Sequence, residues 1–389
     1  MTIYIDQEAV STLNMAKNGL LYPVKELMNS KESDEVNKIG KYKNEIFPFS
    51  FVLAPAGKKN QKVLENAKKG DKLEFINKKK VVGHIIVDEI FPINKDERIF
   101  KIYGTNNPNH KGVQDTYKRL GEFAICGEYE TYEDNIVDDK NKVLETINKL
   151  EAKNISAMVL SAEPFHRVHE RLIRTALVKC DLLIIFIKKP YKLFELDFNI
   201  RYQTLKYFID NFLPKDRVLL VTLDNTYIFG GLNELLLNAI VAKNYLATKL
   251  IIGQNHAGLG AYWEDKKLIS IVNRIEKIGL TIEVLSEFVY CDKCRTLVST
   301  NSCPHGSHHH VKYHNESIIE LLKLGIIPPA ILMRKEISSV ILSSLFPNRK
   351  EQLRKIHQNL STSSGIIDEF KSEDFYDGLM NLYQTSSLT

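Results

Sequence analysis

The chain has 389 residues and a net charge of +5, with 44% hydrophobic and 26% charged residues. This length suits two or three domains, and the composition is ordinary for a soluble globular protein. Most lysines lie in mixed-charge segments such as NSKESDEVNKIGKYKNE, so the positive charge does not indicate nucleic-acid binding. No apolar run reaches the roughly 18 residues of a membrane span, and the beginning of the chain lacks a signal peptide's basic and apolar regions. We therefore expect a cytoplasmic protein.

Short strand-like runs separated by turns dominate the sequence up to about Asp134. The predicted strands are IFPFSFVLA, KLEFI, KVVGHIIVDEIFPI, RIFKIYG and EFAICGEY, and the short helical patterns between them are QKVLENAKKG and GVQDTYKRLG. These runs predict a β-rich N-terminal domain, which we place at residues 1–141.

From about Lys142 the pattern changes to strands that alternate with helices. The predicted strands are SAMVLSA, CDLLIIFIK, RVLLVTL and ATKLIIGQ, and the helices are HERLIRTALVK, FNIRYQTLKYFIDNFL and GLNELLLNAIVAKN. This alternation predicts a parallel sheet covered by helices on both faces, in a domain over residues 142–325. Ligands of such sheets bind at the carboxyl ends of the strands. Residues 326–389 are expected to form a small helical C-terminal domain.

Two histidines three residues apart follow the first of these strands, in SAEPFHRVHERLIR from Ser161 to Arg174. Pro164 suits a first helical turn, and the free N–H groups and positive dipole at a helix N-terminus favour phosphate. His166 and His169 would add hydrogen-bond donors toward the same anion. The alternative is a surface helix with two ordinary polar histidines, and this segment alone does not decide between them.

Six segments, taken in order, resemble the ATP sulfurylase (sulfate adenylyltransferase) family over nearly the whole chain. They are LNMAKNGLLYPVKELMN, IYGTNNPNHKGVQDTYKRLGEFAICGEYE, PFHRVHERLIR, GGLNELLLNAIVAKNYLATKLIIGQNHAGLGAYW, YCDKCRTLVSTNSCPHG and LLKLGIIPP. The resemblance implies an α/β fold with a PUA-like N-terminal domain, a Rossmann-like nucleotidyltransferase domain and a small C-terminal domain. It also implies a homodimer, because relatives commonly assemble.

The resemblance implies adenylyl transfer, in which sulfate attacks the α-phosphorus of Mg²⁺-bound ATP and pyrophosphate leaves. Such a reaction depends on holding the nucleophile in line and on stabilising charge on the phosphoryl oxygens. In the family the two motif histidines face the triphosphate, and this role falls here on His166 and His169. The family's G-R-D-H-A-G turn, which is expected to bind the nucleotide, falls on Gly253, Gln254, Asn255, His256, Ala257 and Gly258.

The cationic positions of these motifs are replaced here by neutral residues. The replaced arginines and lysine fall on Ala162, Gln254, Ile228, Asn233, Ser317 and Ile319. Leu160, Glu163 and Asn255 also depart from the family, and Glu163 takes the place of an asparagine. An unpaired carboxylate about 4 Å from sulfate, at an effective dielectric of ~20, costs on the order of 4 kcal/mol. That cost corresponds to roughly three powers of ten in sulfate affinity.

Three interpretations follow from these replacements. In the first, a divergent nucleotidyltransferase takes a less anionic acceptor, which Glu163 recognises. In the second, sulfate remains the acceptor and Arg167, Arg171 or Arg174 supplies the missing charge. In the third, the protein is a catalytically inert relative that binds nucleotide or a partner. A PUA-like domain also allows RNA binding, but the N-terminal region has no basic stripe with interleaved aromatic residues.

A cysteine cluster, Cys291, Cys294 and Cys303, has the spacing C-x2-C-x8-C and precedes a run of histidines. Zinc prefers four tetrahedral sulfur and nitrogen ligands, and C-x2-C on a turn commonly supplies the first two. The spacing does not fix the histidine; we choose His308, which gives a C-x4-H span. The resemblance implies a structural zinc at this place in some family members. The alternative is a set of reduced surface thiols beside a chance histidine run.

Overall fold

The computed structural model describes residues 1–132, 135–191, 196–231, 233–254, 266–360 and 370–384. The chain divides into two compact units, each assembled from three stretches of sequence. The first unit comprises Met1–Val159, Asp181–Tyr191 and Val221–Val284, and the second comprises Leu160–Cys180, Lys192–Leu220 and Leu285–Thr389.

The N-terminal part of the first unit is built on a five-stranded sheet. The strands of this part are β1 (Thr2–Tyr4), β2 (Lys41–Tyr42), β3 (Glu45–Ile46), β4 (Leu53–Pro55), β5 (Lys72–Asn77), β6 (Lys80–Pro92) and β7 (Leu120–Thr131). The sheet order is β1-β5-β6-β7-β4, and β2 and β3 form a separate hairpin. β1 pairs with β5 in parallel, whereas β5, β6, β7 and β4 pair antiparallel. In β5, Leu73 and Phe75 are fully buried and alternate with more exposed residues, as a strand with one covered face requires.

Five helices accompany this sheet. They are α1 (Gln7–Lys17), α2 (Ser30–Ile39), α3 (Lys58–Asn66), α4 (Lys95–Tyr103) and α5 (Lys111–Arg119). α3 and α5 confirm the two predicted helical patterns. The prediction of a strand at RIFKIYG is wrong, because this segment forms the end of α4. Asn94 caps that helix by accepting the N–H of Glu97 at 3.1 Å, and Gly104 ends it with φ +74°, a conformation that favours glycine.

The rest of the first unit contains a second sheet with the order β10-β9-β8-β11-β12. Its strands are β8 (Ile155–Leu160), β9 (Leu182–Pro190), β10 (Val218–Asn225), β11 (Lys249–Gly253) and β12 (Thr281–Leu285), and its helices are α6 (Asn135–Leu150), α9 (Asn233–Asn244) and α10 (Lys266–Lys277). β8 and β11 pair in parallel, with Ser156 opposite Lys249. Every residue of β8 is buried, as expected for a strand covered on both faces. The predicted alternation of strands and helices is confirmed.

The second unit is mainly helical. Its helices are α7 (Arg167–Leu177), α8 (Phe198–Phe212), α11 (Asn315–Lys323), α12 (Lys335–Leu345), α13 (Lys350–Leu360) and α14 (Ser372–Gln384). A small antiparallel sheet, β14-β13-β15, is formed by β13 (Phe288–Cys291), β14 (Thr296–Ser299) and β15 (His310–Val311). None of the helices described in either unit is long and apolar enough to cross a membrane. The three-domain boundaries stay a prediction.

Candidate active site and metal centre

The connection from β8 to α7 carries the two motif histidines. β8 ends at Leu160 and α7 begins at Arg167. Pro164 therefore lies in the turn before the helix. The prediction that it lies in the first helical turn is wrong. The helix begins later because His166 keeps an extended backbone, with φ −141° and ψ 177°, at the N-cap position. His166 and His169 are thus the N-cap and the third residue of α7.

The two imidazole rings lie against each other, with their centroids 3.9 Å apart. The backbone N–H of His166 donates to Nδ1 of His169 at 3.3 Å. Nε2 of His166 lies 3.1 Å from Oδ1 of Asn315, and the ring of Tyr313 lies 5.1 Å from that of His166. The two residues form a capping box, in which the side chain of His166 faces the backbone N–H of His169 and the side chain of His169 accepts from the backbone of His166.

Burial determines the charge of this pair. It lowers the pKa of His169 to about 4. Burial and the neighbouring His169 lower the pKa of His166 well below its ordinary value, against the opposite effect of the hydrogen bond with Asn315. Both rings are therefore neutral at pH 7, and each has one donor and one acceptor nitrogen. The pair offers hydrogen bonds rather than positive charge.

The first residue of α7 is tied to a segment near α12. The backbone N–H of Arg167 donates to the carbonyl of Leu332 at 3.0 Å, and its Nε donates to the carbonyl of Ala330 at 3.0 Å. The amide of Arg167, which the sequence suggested for phosphate binding, is therefore already bonded within the protein.

Glu163 is not the unpaired carboxylate that the sequence comparison assumed. The N–H of Leu196 donates to its Oε1 at 3.3 Å. Arg201, only 1% exposed, donates to the carbonyl of Ser161 at 2.5 Å. Burial lowers the pKa of Arg201, whereas the carboxylates of Glu163 and Asp197 raise it. The assumed energetic cost to sulfate does not hold, because α8 brings a buried positive charge close to Glu163.

The three arginines considered as substitutes for the missing cations lie on α7. Arg167 is held by the contacts given above. Arg174 donates to the carbonyl of Phe212 at 2.8 Å. Arg171 is exposed, and its guanidinium lies 5.8 Å from the centre of the Phe288 ring. Two of the three are thus bonded to carbonyl groups of the fold.

A buried carboxylate stabilises the beginning of α7. Glu170 is 5% exposed and accepts from the guanidinium of Arg334 at 2.9 Å and from that of Arg167 at 3.3 Å. The pair with Arg334 connects the first turn of α7 to the beginning of α12, and the pair with Arg167 lies within α7. The histidine pair therefore lies on a helix whose position is fixed by buried charges.

In the first unit, β11 ends at the predicted nucleotide-binding turn. Because β11 and β8 run parallel, their carboxyl ends lie at the same edge of the sheet. Gly253 is the last residue of β11, and no atom of the described residues lies within 4 Å of the position a Cβ would take there. Gln254 follows in a turn. The predicted residues Asn255, His256, Ala257 and Gly258 lie outside the described residues.

Three of the positions where the family has cations serve the fold here. Ile228 and Ile319 are 0% and 3% exposed. The amide of Asn233 donates to the carbonyl of Lys101 at 2.7 Å. A long cationic side chain would not fit the buried sites of Ile228 and Ile319 without rearrangement. Their neutral residues are therefore consistent with the packing around them.

The cysteine cluster lies at the end of β13 and in the loops beside it. The ligand atoms of Cys291, Cys294, Cys303 and His305 all lie within 4.8 Å of one another. Nδ1 of His305 is 3.4, 3.2 and 3.7 Å from the three sulfur atoms, in chain order, and two of the sulfurs, those of Cys294 and Cys303, are 4.0 Å apart. Two sulfurs bound to one tetrahedral zinc at ~2.3 Å are about 3.8 Å apart. The donor set and its spacing fit zinc.

The histidine in this group is His305, whereas the spacing had suggested His308. In the part of the chain that the structure describes, His308 does not belong to the group. It lies on the 3₁₀ turn Ser307–His309, with its ring 4.1 Å from that of His309. His305 reaches the cysteines because only one residue separates it from Cys303.

Sequence reasoning did not identify several residues that shape these sites. They are Glu170, Arg201, Tyr313, Asn315, Arg334 and His305. The C-x-H spacing from Cys303 to His305 was a usable signal for the metal centre. The contacts of Asn315, Arg201 and Arg334 join positions far apart in the chain, and no local pattern announces them.

Comparisons with known proteins agree with the predicted fold class. The family model of the PUA-like domain matches residues 1–134, and that of ATP-sulfurylase matches residues 134–344. The sulfate adenylyltransferase of Staphylothermus marinus is 30% identical over 290 residues, which are 72% of this chain and 75% of the relative. The sulfate adenylyltransferase of Halothermothrix orenii is 25% identical over 353 residues, with 88% and 91% of the two chains covered.

A solved structure has a similar fold. The hexameric APS kinase from Thiobacillus denitrificans superposes with a TM-score of 0.63 at 16% identity, over 90% of this chain. The chain spans 64% of the length of that protein. At this level of identity the likeness is one of fold alone.

Proposed function

Because the chain belongs to the ATP-sulfurylase family, we propose that it is a nucleotidyltransferase that uses Mg²⁺-bound ATP and releases pyrophosphate. An acceptor atom attacks the α-phosphorus, and the bond to the β-phosphate oxygen breaks. The observation that carries this proposal is the pair formed by the buried His166 and the partly exposed His169 at the N-terminal end of α7, in the connection that follows a central strand. Neutral imidazoles there hold the phosphoryl oxygens by hydrogen bonds and exclude water.

The acceptor in this proposal is less anionic than sulfate. Two negatively charged reactants in contact need cations between them. Three described arginines near the histidine turn donate to carbonyl groups of the fold, Arg167 to Ala330, Arg174 to Phe212 and Arg201 to Ser161; Arg171, also on α7, is exposed. These contacts hold the guanidinium groups to the fold, and Glu163 is not unpaired. In this proposal Glu163 contacts the acceptor together with Arg201, whose pKa it raises.

The experiment measures pyrophosphate release from ATP alone, with sulfate, and with neutral or cationic compounds that carry a hydroxyl or amine. We expect pyrophosphate release with a neutral or cationic hydroxyl or amine compound and little release with sulfate. His166→Gln and His169→Gln should each abolish most of it, whereas His84→Gln, in β6, should leave it unchanged. Robust turnover at low millimolar sulfate would overturn the acceptor assignment and leave the nucleotidyltransferase assignment in place.

The second candidate is a catalytically inert relative that binds nucleotide. The bonds of Arg167, Arg174 and Arg201 to carbonyls of the fold favour it, because side chains held there are less free to move onto a leaving pyrophosphate. ATP binding by calorimetry, without pyrophosphate release in any acceptor series, would support this candidate against the enzyme. The homodimer, the cytoplasmic location and nucleotide contacts at residues 253–258 stay predictions.

For the metal centre, we propose a structural zinc held by Cys291, Cys294, Cys303 and His305. Four protein ligands would close the coordination shell, and a closed shell gives structural rather than catalytic sites. Bound zinc would hold the β13–β14 hairpin against the loop before β15. Metal analysis of protein purified without an affinity tag tests this, and absence of stoichiometric zinc would contradict it.

A further inference from the structure

The metal centre and the histidine turn both lie in the second unit, and a short stretch of chain joins them. At one end, β15 begins with His310 beside the cysteine cluster. At the other end, α11 begins with Asn315, whose Oδ1 lies 3.1 Å from Nε2 of His166. Residues 311–314 alone separate these two ends. The metal centre is therefore connected to the neighbourhood of His166 over a few residues of backbone.

His310 contacts the metal centre without being one of its four proposed ligands. Its Nε2 lies 3.3 Å from Sγ of Cys303, but among the described residues it does not belong to the group whose ligand atoms lie within 4.8 Å of one another. A cysteine that binds zinc is a thiolate, and a thiolate only accepts hydrogen bonds. Nε2 of His310 therefore donates to Cys303. Hydrogen bonds of this kind orient the ligands of a metal and tune the site.

The strand that begins with His310 is attached to the metal centre through its backbone as well. Cys291, a proposed ligand on β13, lies opposite His310 in the antiparallel ladder. Next to this pair, the N–H of Asp292 donates to the carbonyl of His309 at 3.0 Å. β15 has only 2 residues, and so short a strand is weakly held by its ladder alone. The bond from His310 to Cys303 is thus a second attachment of β15 to the metal centre.

The chain after β15 and the beginning of α7 are held by the same three residues, 330–332. The carbonyl of Ile331 accepts from the hydroxyl of Tyr313 at 2.5 Å. The carbonyls on either side accept from Nε and from the backbone N–H of Arg167, each at 3.0 Å. Arg167 directly follows His166 in the chain, and the ring of Tyr313 lies 5.1 Å from that of His166. A shift of Tyr313 would therefore reach His166 through its ring and through this shared segment.

We propose that His310 is a positioning residue, through which the metal centre holds the segment 313–315 against His166. The bond to Cys303 fixes β15, and β15 fixes the beginning of the segment. The segment in turn fixes His166 by one hydrogen bond and one ring contact. Such a contiguous network of bonds is a physical route by which one site biases another. This role of His310 depends on the zinc site and the histidine site proposed above and holds for any acceptor.

The first experiment observes His166 by NMR and does not require activity. In zinc-loaded protein labelled with ¹⁵N-histidine, the imidazole signals of His166 are assigned with His166→Gln. We expect His310→Leu to shift or broaden these signals, whereas His310→Gln, whose amide can still donate to Cys303, should restore them. The matched control His308→Leu, at an exposed position of the turn before β15, should leave them unchanged. Identical His166 signals in the wild type and in His310→Leu would overturn the proposed role.

The second experiment titrates zinc into metal-free wild-type protein and therefore does not depend on the folding of a variant. The His166 signals should reach their final position at one equivalent of zinc. His357, on α13 of the same unit, is the internal reference and should respond little. His166 signals that do not respond to bound zinc would overturn the proposed role. A response of His357 as large as that of His166 would indicate general unfolding and would also overturn it.

The third measurement, pyrophosphate release with an active acceptor, separates this role from the proposed function. His310→Leu should lower kcat about tenfold, because small displacements of a positioned group are costly, and His310→Gln should restore it to within about twofold. An unchanged kcat in His310→Leu would count against the role. Failure of the proposed function is distinguishable, because the wild type would then release no pyrophosphate with any acceptor, while the NMR signals of His166 would still report the effect of zinc.

Discussion

Replacing Glu170 by alanine removes the buried carboxylate that joins α7 to the beginning of α12. The side chain of Glu170 is 6% exposed, and those of its partners Arg334 and Arg167 are 21% and 27% exposed. Removing one partner of a buried ion pair costs about 3–5 kcal/mol. Because water reaches both arginines in part, we expect about 2–3 kcal/mol for Glu170→Ala. Glu170→Gln keeps the shape and one acceptor oxygen, so about 1–2 kcal/mol is expected.

Urea unfolding measures this loss, with Glu320→Ala as the matched control. Glu320 pairs with Lys323 across 3.7 Å, but its side chain is 65% exposed, and exposed pairs contribute only about 0–1 kcal/mol. Hydrogen exchange at the Arg167 amide is the second measurement, since that amide bonds Leu332 and should exchange faster in Glu170→Ala. A Glu170→Ala protein no less stable than Glu320→Ala, with unchanged exchange, would refute the reasoning.

Three further predictions concern the metal centre, the histidine pair and a packed glycine. His305→Ala should lose stoichiometric zinc and His308→Ala should keep it, as measured by metal analysis; the reverse result would contradict the assignment. Because the pKa of His169 is lowered to about 4 in the folded protein and lies near 6.5 when unfolded, the unfolded chain takes up the proton first. The free energy of unfolding should therefore fall between about pH 6.5 and pH 4, by on the order of 3 kcal/mol from this residue, and His169→Gln should flatten that slope in urea titrations; equal slopes would count against it. Gly231→Ala should lower Tm more than Gly57→Ala: both positions have positive φ, but an added Cβ meets a backbone carbonyl oxygen at 2.6 Å only at the first and finds open space at the second. The free energy of unfolding should fall by about 1–3 kcal/mol more in Gly231→Ala than in Gly57→Ala, and equal Tm changes would argue against this prediction.

The sequence was a good guide for most elements whose structure depends on neighbouring residues. The apolar strand from Ile155 to Leu160 and the amphipathic helix after it followed from periodicity alone. The C-x2-C-x8-C spacing identified three members of the cysteine cluster in the same way. RIFKIYG misled because its alternating apolar residues also fit one face of a short helix, and Asn94 and Gly104 decided in favour of the helix by capping it.

The sequence by itself determined the fold class, the family and the position of His166 and His169 after a central strand, because each depends on local pattern or on ordered motifs. Only the tertiary structure decided how those histidines are bonded and which charges are compensated. Asn315 lies 149 residues from His166, and Arg201 reaches the Ser161 carbonyl from 40 residues away. Such contacts depend on how helices pack, and helical packing is a property of the whole chain. For that reason the contacts of the histidine pair and the partners of Glu163 could be read only from the folded protein.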